Sequence, residues 1–266
     1  MPAFYTHHRF GAKVAERLKR ESEELGELIR KYPEQYAIGQ QGPDIFFFYR
    51  PYYKNRAARY GSRLHHESAL AFMERARRVV RKKGRDSREY AYLLGFIGHF
   101  VLDSECHPYV AEWIEAANVQ HFEIEEEFEK MMLRLDHKDP LAYPISALIP
   151  SDDAVVEAML PFYKGMNAGV IQNALGDMKR VKALFTAPGF LKQGLINTVM
   201  RMTGRYAQIK GLMNQRKDNP KCLKSNEELL RRFDHAVDVA AELILDFDRS
   251  VKKGAALNAR FDRNFE

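Results

Sequence analysis

Cysteine is nearly missing from the 266 residues, with only Cys106 and Cys222 present. Two cysteines cannot build a disulfide framework for a chain this long, so buried thiols are the expectation. No apolar run approaches the ~18 residues that a membrane span requires. The first residues lack a basic stretch followed by an apolar one, so no export signal is visible, and the reading is a soluble, cytoplasmic protein. Period-two alternation, the mark of half-buried strands, is not found. Internal repeats, low-complexity tracts and a glycine-rich phosphate loop are also missing. Neither sign of charge dominates: 42 basic and 36 acidic side chains leave +6, which suits solubility with a mild bias toward anionic partners. With 45% hydrophobic and 29% charged residues, the composition is that of a globular chain rather than a disordered one.

Helical periodicity fills the chain instead. Val14, Leu18, Leu25, Leu28, Ile29 and Tyr32 recur at one-face spacing, predicting a helix over 13–32 that Pro33 ends. The stretch 38–60 reads as irregular, broken by Gly39, Gly42, Pro43 and Pro51. A helix over 64–82 would turn Ala69, Phe72, Met73, Ala76 and Val80 inward before Gly84 and Asp86 stop it. Asp86 with Glu89 fits a capping box for a third helix, 87–106. That helix is apolar nearly all round, which predicts burial on every side, and Gly95 and Gly98 would admit a close neighbour. A helix over 119–135 and a proline-rich loop over 136–150 follow. Further helices are expected at 153–168, 169–185, 191–215 and 226–251, the last capped by Ser225 and Glu228. The fold class is all-α.

Some conspicuous features have ordinary readings. Phe46, Phe47, Phe48 and Tyr49 with Tyr52 and Tyr53 read first as core and second as a cleft wall. The basic run from Arg75 to Arg85 reads as a solvated helix face rather than a nucleic-acid or membrane patch. Glu123, Glu126 and Glu127 read as solvated.

Histidine is where the sequence departs from the ordinary. Of nine histidines, seven lie at or before His121, and only His137 and His235 follow. His99 and Asp103 sit on the apolar third helix four residues apart, about 40° around a helix, so both face one way. His107 is four further on and precedes Pro108, which reads as a helix end or kink. His121 and Glu125 repeat the spacing at the start of the next helix. A buried carboxylate without a partner is costly. One such pair is most simply a hydrogen-bonded core pair. Two pairs with a histidine between them favour a divalent metal, and imidazole with carboxylate suits zinc. His7, the Gly42-Pro43-Asp44 turn and the His65-His66 doublet are weak signals singly.

Taken in order, His7, Gly42-Pro43-Asp44, His65, His99-x3-Asp103, His107 and His121-x3-Glu125 resemble the bacterial zinc-dependent phospholipase C family. That family shares its all-helical fold with the zinc-dependent single-strand nucleases. The resemblance spans roughly residues 5 to 130 and implies a zinc cluster at the bottom of a cleft. By position, His65, His99 and Asp103 would hold one zinc, and His107, His121 and Glu125 a second. His7 would belong to a third, with Asp103 bridging. Asp44 would orient or deprotonate the attacking water. Two zincs are expected and the third stays open: secreted relatives build its site from the terminal amino group and a tryptophan, whereas Trp113 is the only tryptophan here. Relatives also place the histidine after the aspartate two residues later, behind a proline, while His107 comes sooner and precedes Pro108. His65 or His66 fills its slot, with His65 preferred because it follows the apolar Leu64.

The implied activity is phosphodiester hydrolysis, of a phospholipid head group or a related diester, by metal-bound hydroxide from a zinc-bound water with a pKa near ~7. Single-stranded nucleic acid is the second choice of substrate. A metal-stabilised helical protein without turnover is the third reading. The ligand map makes 1–266 a single domain, with a metal-ligand half at 1–135 and a helical wall at 150–266. Nothing in the sequence speaks to oligomeric state.

Overall fold

In the computed structural model, which describes residues 3–266, helices account for every regular element, and no strand occurs among the described residues. The order is α1 (Phe4–Glu21), α2 (Glu23–Lys31), α3 (Pro33–Gly39), a 3₁₀ turn (Gly42–Phe48), α4 (Arg56–His66), α5 (Leu70–Lys83), α6 (Arg88–Ala117) and α7 (His121–Leu135). Then come α8 (Asp153–Met159), α9 (Ala168–Phe185), α10 (Phe190–Met202), the short α11 (Tyr206–Ile209) and α12 (Leu223–Lys253).

Helix α6 is the axis of the fold. Every residue from Tyr90 to Ser104 is buried, as an all-round apolar sequence requires. Helices α3 and α12 lie against it, and one apolar cluster extends around it from Phe4 to Phe265. Small residues set the closest approach. A Cβ on Gly95 would fall 2.2 Å from the Tyr36 carbonyl oxygen, and one on Gly39 would fall 2.9 Å from the Gly95 Cα. Backbone therefore meets backbone where α3 crosses α6.

The structure redraws several expected boundaries. The helix expected at 13–32 begins at Phe4 and is interrupted at Ser22, whose Oγ accepts from the Leu25 amide and caps α2. Its polar start, Thr6-His7, hid it from an apolar count although both residues are buried. Pro33 ends α2 and also starts α3 at a position where its missing N–H costs nothing. His65 and His66 close α4 rather than open a helix. Ser87, not Asp86, caps α6. The Ser225–Glu228 box does not form: Ser225 donates to the Cys222 carbonyl, and Glu228 pairs with Arg231 and Arg232. The segment expected as one helix at 191–215 breaks at Gly204, which has a positive φ of 70°.

Pro108 does not end α6, which continues to Ala117. A proline leaves the carbonyl four residues earlier without its helical donor. Here that carbonyl, Ser104, accepts from the Arg263 guanidinium at 3.0 Å, and the next one, Glu105, accepts from Arg232 at 3.0 Å. Distant arginines thus replace what the proline removes.

Two charge readings also change. Arg77, Arg81 and Arg85 do not simply face water. Arg77 and Arg81 donate to the Ala255, Ser250 and Val251 carbonyls, and Arg85 joins Asp248 and Glu24, so α5 clamps the C-terminal end of α12. Glu123, Glu126 and Glu127, expected in water, are buried. The fully buried Lys130 sits 3.0 Å from both Glu126 and Glu127 and 2.9 Å from Asp218, which supplies the cation such burial demands. The aromatic run divides. Phe46 is core and packs edge-on to Tyr60 and Tyr163, whereas Phe47, Tyr52 and Tyr53 are exposed. Among the described residues no helix is long and apolar enough to cross a membrane.

Candidate metal centre

Five elements deliver side chains to one buried place. Helix α1 brings His7, the 3₁₀ turn Asp44, α4 His65, α6 His99, Asp103 and His107, and α7 His121 and Glu125. Ligand atoms of Asp44, His65, His99 and Asp103 all lie within 4.8 Å of one another, and so do those of His107, His121 and Glu125. Asp103 joins the two sets: its carboxylate oxygens are 3.2 Å from His99 Nε2, 3.2 Å from His7 Nε2 and 4.0 Å from His107 Nε2. Glu125 Oε1 lies 2.8 Å from His121 Nε2 and 3.7 Å from His107 Nε2. Asp44 Oδ1 lies 2.8 Å from His65 Nε2. Of the doublet, His65 is buried and faces the cluster, while His66 is exposed and bonded to the Ser62 carbonyl.

Local backbone explains how Asp44 enters. Gly42 has φ +47°, and a Cβ there would fall 2.1 Å from the His99 ring. Only glycine permits both the left-handed turn and the contact. Pro43 then starts the 3₁₀ turn that aims Asp44 inward.

The histidines are oriented by a second set of bonds. His65 Nδ1 donates to the Gly61 carbonyl at 2.8 Å, His99 Nδ1 to the Gln40 carbonyl at 3.2 Å, and His107 Nδ1 to the Phe265 carbonyl at 2.8 Å. A carbonyl can only accept, so each ring donates from Nδ1 and turns Nε2 inward. That arrangement is what metal-binding histidines use.

The inward atoms have too few partners. Nε2 of His7, His65, His99 and His107, both Asp103 oxygens and Glu125 Oε2 are buried, and none makes a hydrogen bond of acceptable geometry. Buried polar atoms are otherwise almost always bonded. Seven such atoms converging from four helices fit one or more divalent cations, and a nitrogen–oxygen donor set suits zinc.

Protonation agrees. Burial holds His99 neutral, with a pKa lowered to about 3 despite the Asp103 carboxylate beside it. Burial would raise Glu125, but His121 and His107 outweigh it and bring the value down to about 2. Asp103 is held well below the usual carboxylate range by His99, His107 and His7 against the same penalty. His107 goes the other way: burial lowers it, yet Asp103 and Glu125 raise it to about 9. Without metal, then, His107 carries a proton at neutral pH that a cation bound there would displace. Zinc binding at its site is expected to release about one proton at pH 7, with affinity rising about tenfold per pH unit toward pH 9. Titration calorimetry in two buffers of different ionisation enthalpy measures this, and identical heats in both would contradict it.

Three contributors lie outside the ligand set expected from the sequence. Phe265 clamps the cluster from 158 residues beyond His107. Its carbonyl holds His107, its amide donates to the His65 carbonyl at 3.1 Å, and its ring lies against His65 and His99. Glu129 accepts from the Tyr5 amide at 2.8 Å and fixes the start of α1. Lys182, buried on α9, is lowered by burial and lies within electrostatic reach of Glu129, Glu125 and Asp44. Partners that orient a ligand typically contribute about 10–100-fold in metal affinity. Removing Phe265 and Glu266 takes both backbone groups away and is therefore expected to weaken zinc binding by about tenfold, measured by competition with a chromophoric chelator. An unchanged affinity would show that the contact orients nothing.

A family model described as zinc dependent phospholipase C matches residues 6–173, more than half of the chain and all of the residues above from His7 to Glu125. No curated protein and no solved structure matches.

Proposed function

The chain belongs to the zinc-dependent phospholipase C family, and from that membership we propose that it is a zinc-dependent phosphodiester hydrolase acting on phospholipids. The observation that carries this is the pair of ligand sets joined through Asp103. In this reading the whole chain, 1–266, serves as one domain, supported by the continuous core from Phe4 to Phe265. His65, His99 and Asp103 would hold one zinc and His107, His121 and Glu125 another. His7, 3.2 Å from Asp103 Oδ1, would hold a third. Bound zinc would supply acidification of water and charge neutralisation at phosphorus.

The protein's own groups do the rest. Asp44 is buried, and its carboxyl is held below the usual range despite burial, with His65 and His99 among the causes. It is an ionised acceptor at neutral pH but a weak base, so it orients the attacking water more than it deprotonates it. The water oxygen joins phosphorus while the bond to the glycerol oxygen breaks, and that oxygen leaves with a proton as diacylglycerol. Phe47, exposed with its ring 5.3 Å from His65, stands beside the site as an apolar wall.

Turnover of a soluble aryl phosphodiester tests the reading. Asp44→Asn is expected to lower kcat at least ~100-fold, the scale of a misplaced reactant, with at least two zincs retained. Equal inertness of wild type and variant would leave a metal-stabilised protein without turnover. Faster cleavage of single-stranded DNA than of phosphatidylcholine would move the substrate to nucleic acid.

A further inference from the structure

Helix α10 shows most of its apolar side chains to water. Leu191, Leu195, Val199 and Met202 fall at i, i+4, i+8 and i+11, one face of a helix, and that face is in water. Their exposures are 91%, 67%, 55% and 83%, with Phe190 at 77% beside them. The inward side is narrow, with buried Met200 and half-buried Ile196 in a small apolar cluster, and two amides share it. Gln193 is buried and donates to the Asn214 carbonyl, and Asn197 donates to the Gln215 side chain. A helix that hides its amides and shows its leucines is not placed by folding alone, and a contiguous apolar face of this kind marks an interaction site.

Charge says what it meets. From Met178 to Lys217 there is no aspartate or glutamate, while Lys179, Arg180, Lys182, Lys192, Arg201, Arg205, Lys210, Arg216 and Lys217 are all basic. Lys192, Arg201, Arg205 and Lys217 are exposed. Apolar side chains flanked by cations without anions complement an anionic lipid surface, into which such a helix lies flat. A protein partner of ordinary mixed charge would not select against every acid over this length.

Position connects the helix to the site. The segment that follows α10 docks on the first turn of α7: a Cβ on Gly211 would fall 2.2 Å from the Phe122 carbonyl oxygen, and Lys210 pairs with Glu123 at 2.5 Å. The neighbouring His121 has a side chain 42% exposed, the most open of the cluster histidines. This segment also lies beyond the residues 6–173 matched by the family.

We propose that α10 and the basic segment after it form an interfacial anchor for anionic phospholipid bilayers, bringing the membrane to the open edge of the cluster. The proposal rests on the phospholipid reading above, but its primary test needs no turnover. Co-sedimentation with phosphatidylcholine vesicles, with and without phosphatidylglycerol, is compared for wild type and for Leu191→Ser/Leu195→Ser/Val199→Ser, three exposed positions whose change leaves the core intact. The expected result is wild-type binding that requires phosphatidylglycerol and weakens with salt, reduced at least tenfold in the variant. The soluble aryl diester should be turned over equally by both. Vesicle binding that is absent, or unchanged in the variant, overturns the anchor even if the enzyme hydrolyses phosphodiesters. Binding through α10 by a chain inert toward every diester would retain the anchor and sink the phospholipase reading. Dimers of wild type that become monomers in the variant, with no vesicle binding, assign the face to a second copy and overturn the proposal.

Discussion

Asp103→Asn is expected to reduce hydrolysis of a soluble phosphodiester by at least ~10³-fold, about 4 kcal/mol of barrier, and to lose at least one zinc per chain. Asp103 is the one carboxylate facing three imidazoles, with His7 and His99 at 3.2 Å and His107 at 4.0 Å. Both its oxygens are buried without a hydrogen bond of good geometry. Asparagine keeps the shape, removes the charge and replaces one acceptor oxygen by an amide with no lone pair to offer a metal. The two ligand sets then lose their shared anion. Steady-state kinetics with elemental analysis of the same sample measures both effects. His66→Ala is the control, since that ring is exposed and bonded to its own helix, and it should stay within about twofold, as surface substitutions do. Full zinc and near-wild-type turnover in Asp103→Asn would remove the basis of the proposed site.

Metal removal should act on stability as well. A ligand present at about 1,000 times its Kd contributes about 4 kcal/mol, and in a chain of this size each kcal/mol moves Tm by about 2–4 °C. Saturating chelator is thus expected to lower Tm by about 10 °C and to abolish turnover, with both restored by zinc. The metal-free protein should also show a distinctive pH profile. His107, raised to about 9, contributes stability that is full below the unfolded pKa of about 6.5 and fades as pH rises toward 9. His99, lowered to about 3, costs nothing above about 6.5 and increasingly more as pH falls below it. The two together put the maximum near pH 6.5. Calorimetry across pH 4–10, with and without zinc, would show that maximum only in the metal-free sample. A Tm indifferent to chelator would mean that the buried atoms need no cation.

How much of this was legible in the sequence depended on distance along the chain. The spacings His99-x3-Asp103-x3-His107 and His121-x3-Glu125 were visible because one helical turn decides which side chains share a face. The burial of α6 was visible because its apolar residues leave no polar side. What came from far away was not. Pro108 read as a helix end or kink because its compensating donor, Arg263, lies 159 residues from Ser104. Glu123, Glu126 and Glu127 read as solvated because the 210–219 segment that covers them is joined by fold, not by sequence. The Phe265 clamp gave no signal, since a backbone carbonyl has none to give. For α10 the sequence offered only a helix over 191–215, since periodicity names a face without saying whether core or solvent receives it.

The central claim is that zinc sits among these particular side chains. Anomalous diffraction at the zinc edge, from crystals grown without chelator, tests it most directly. At least two zinc peaks are expected, one among His65, His99 and Asp103 and one among His107, His121 and Glu125. Zinc found only at outlying histidines such as His66 or His235, or no zinc at all, would contradict it.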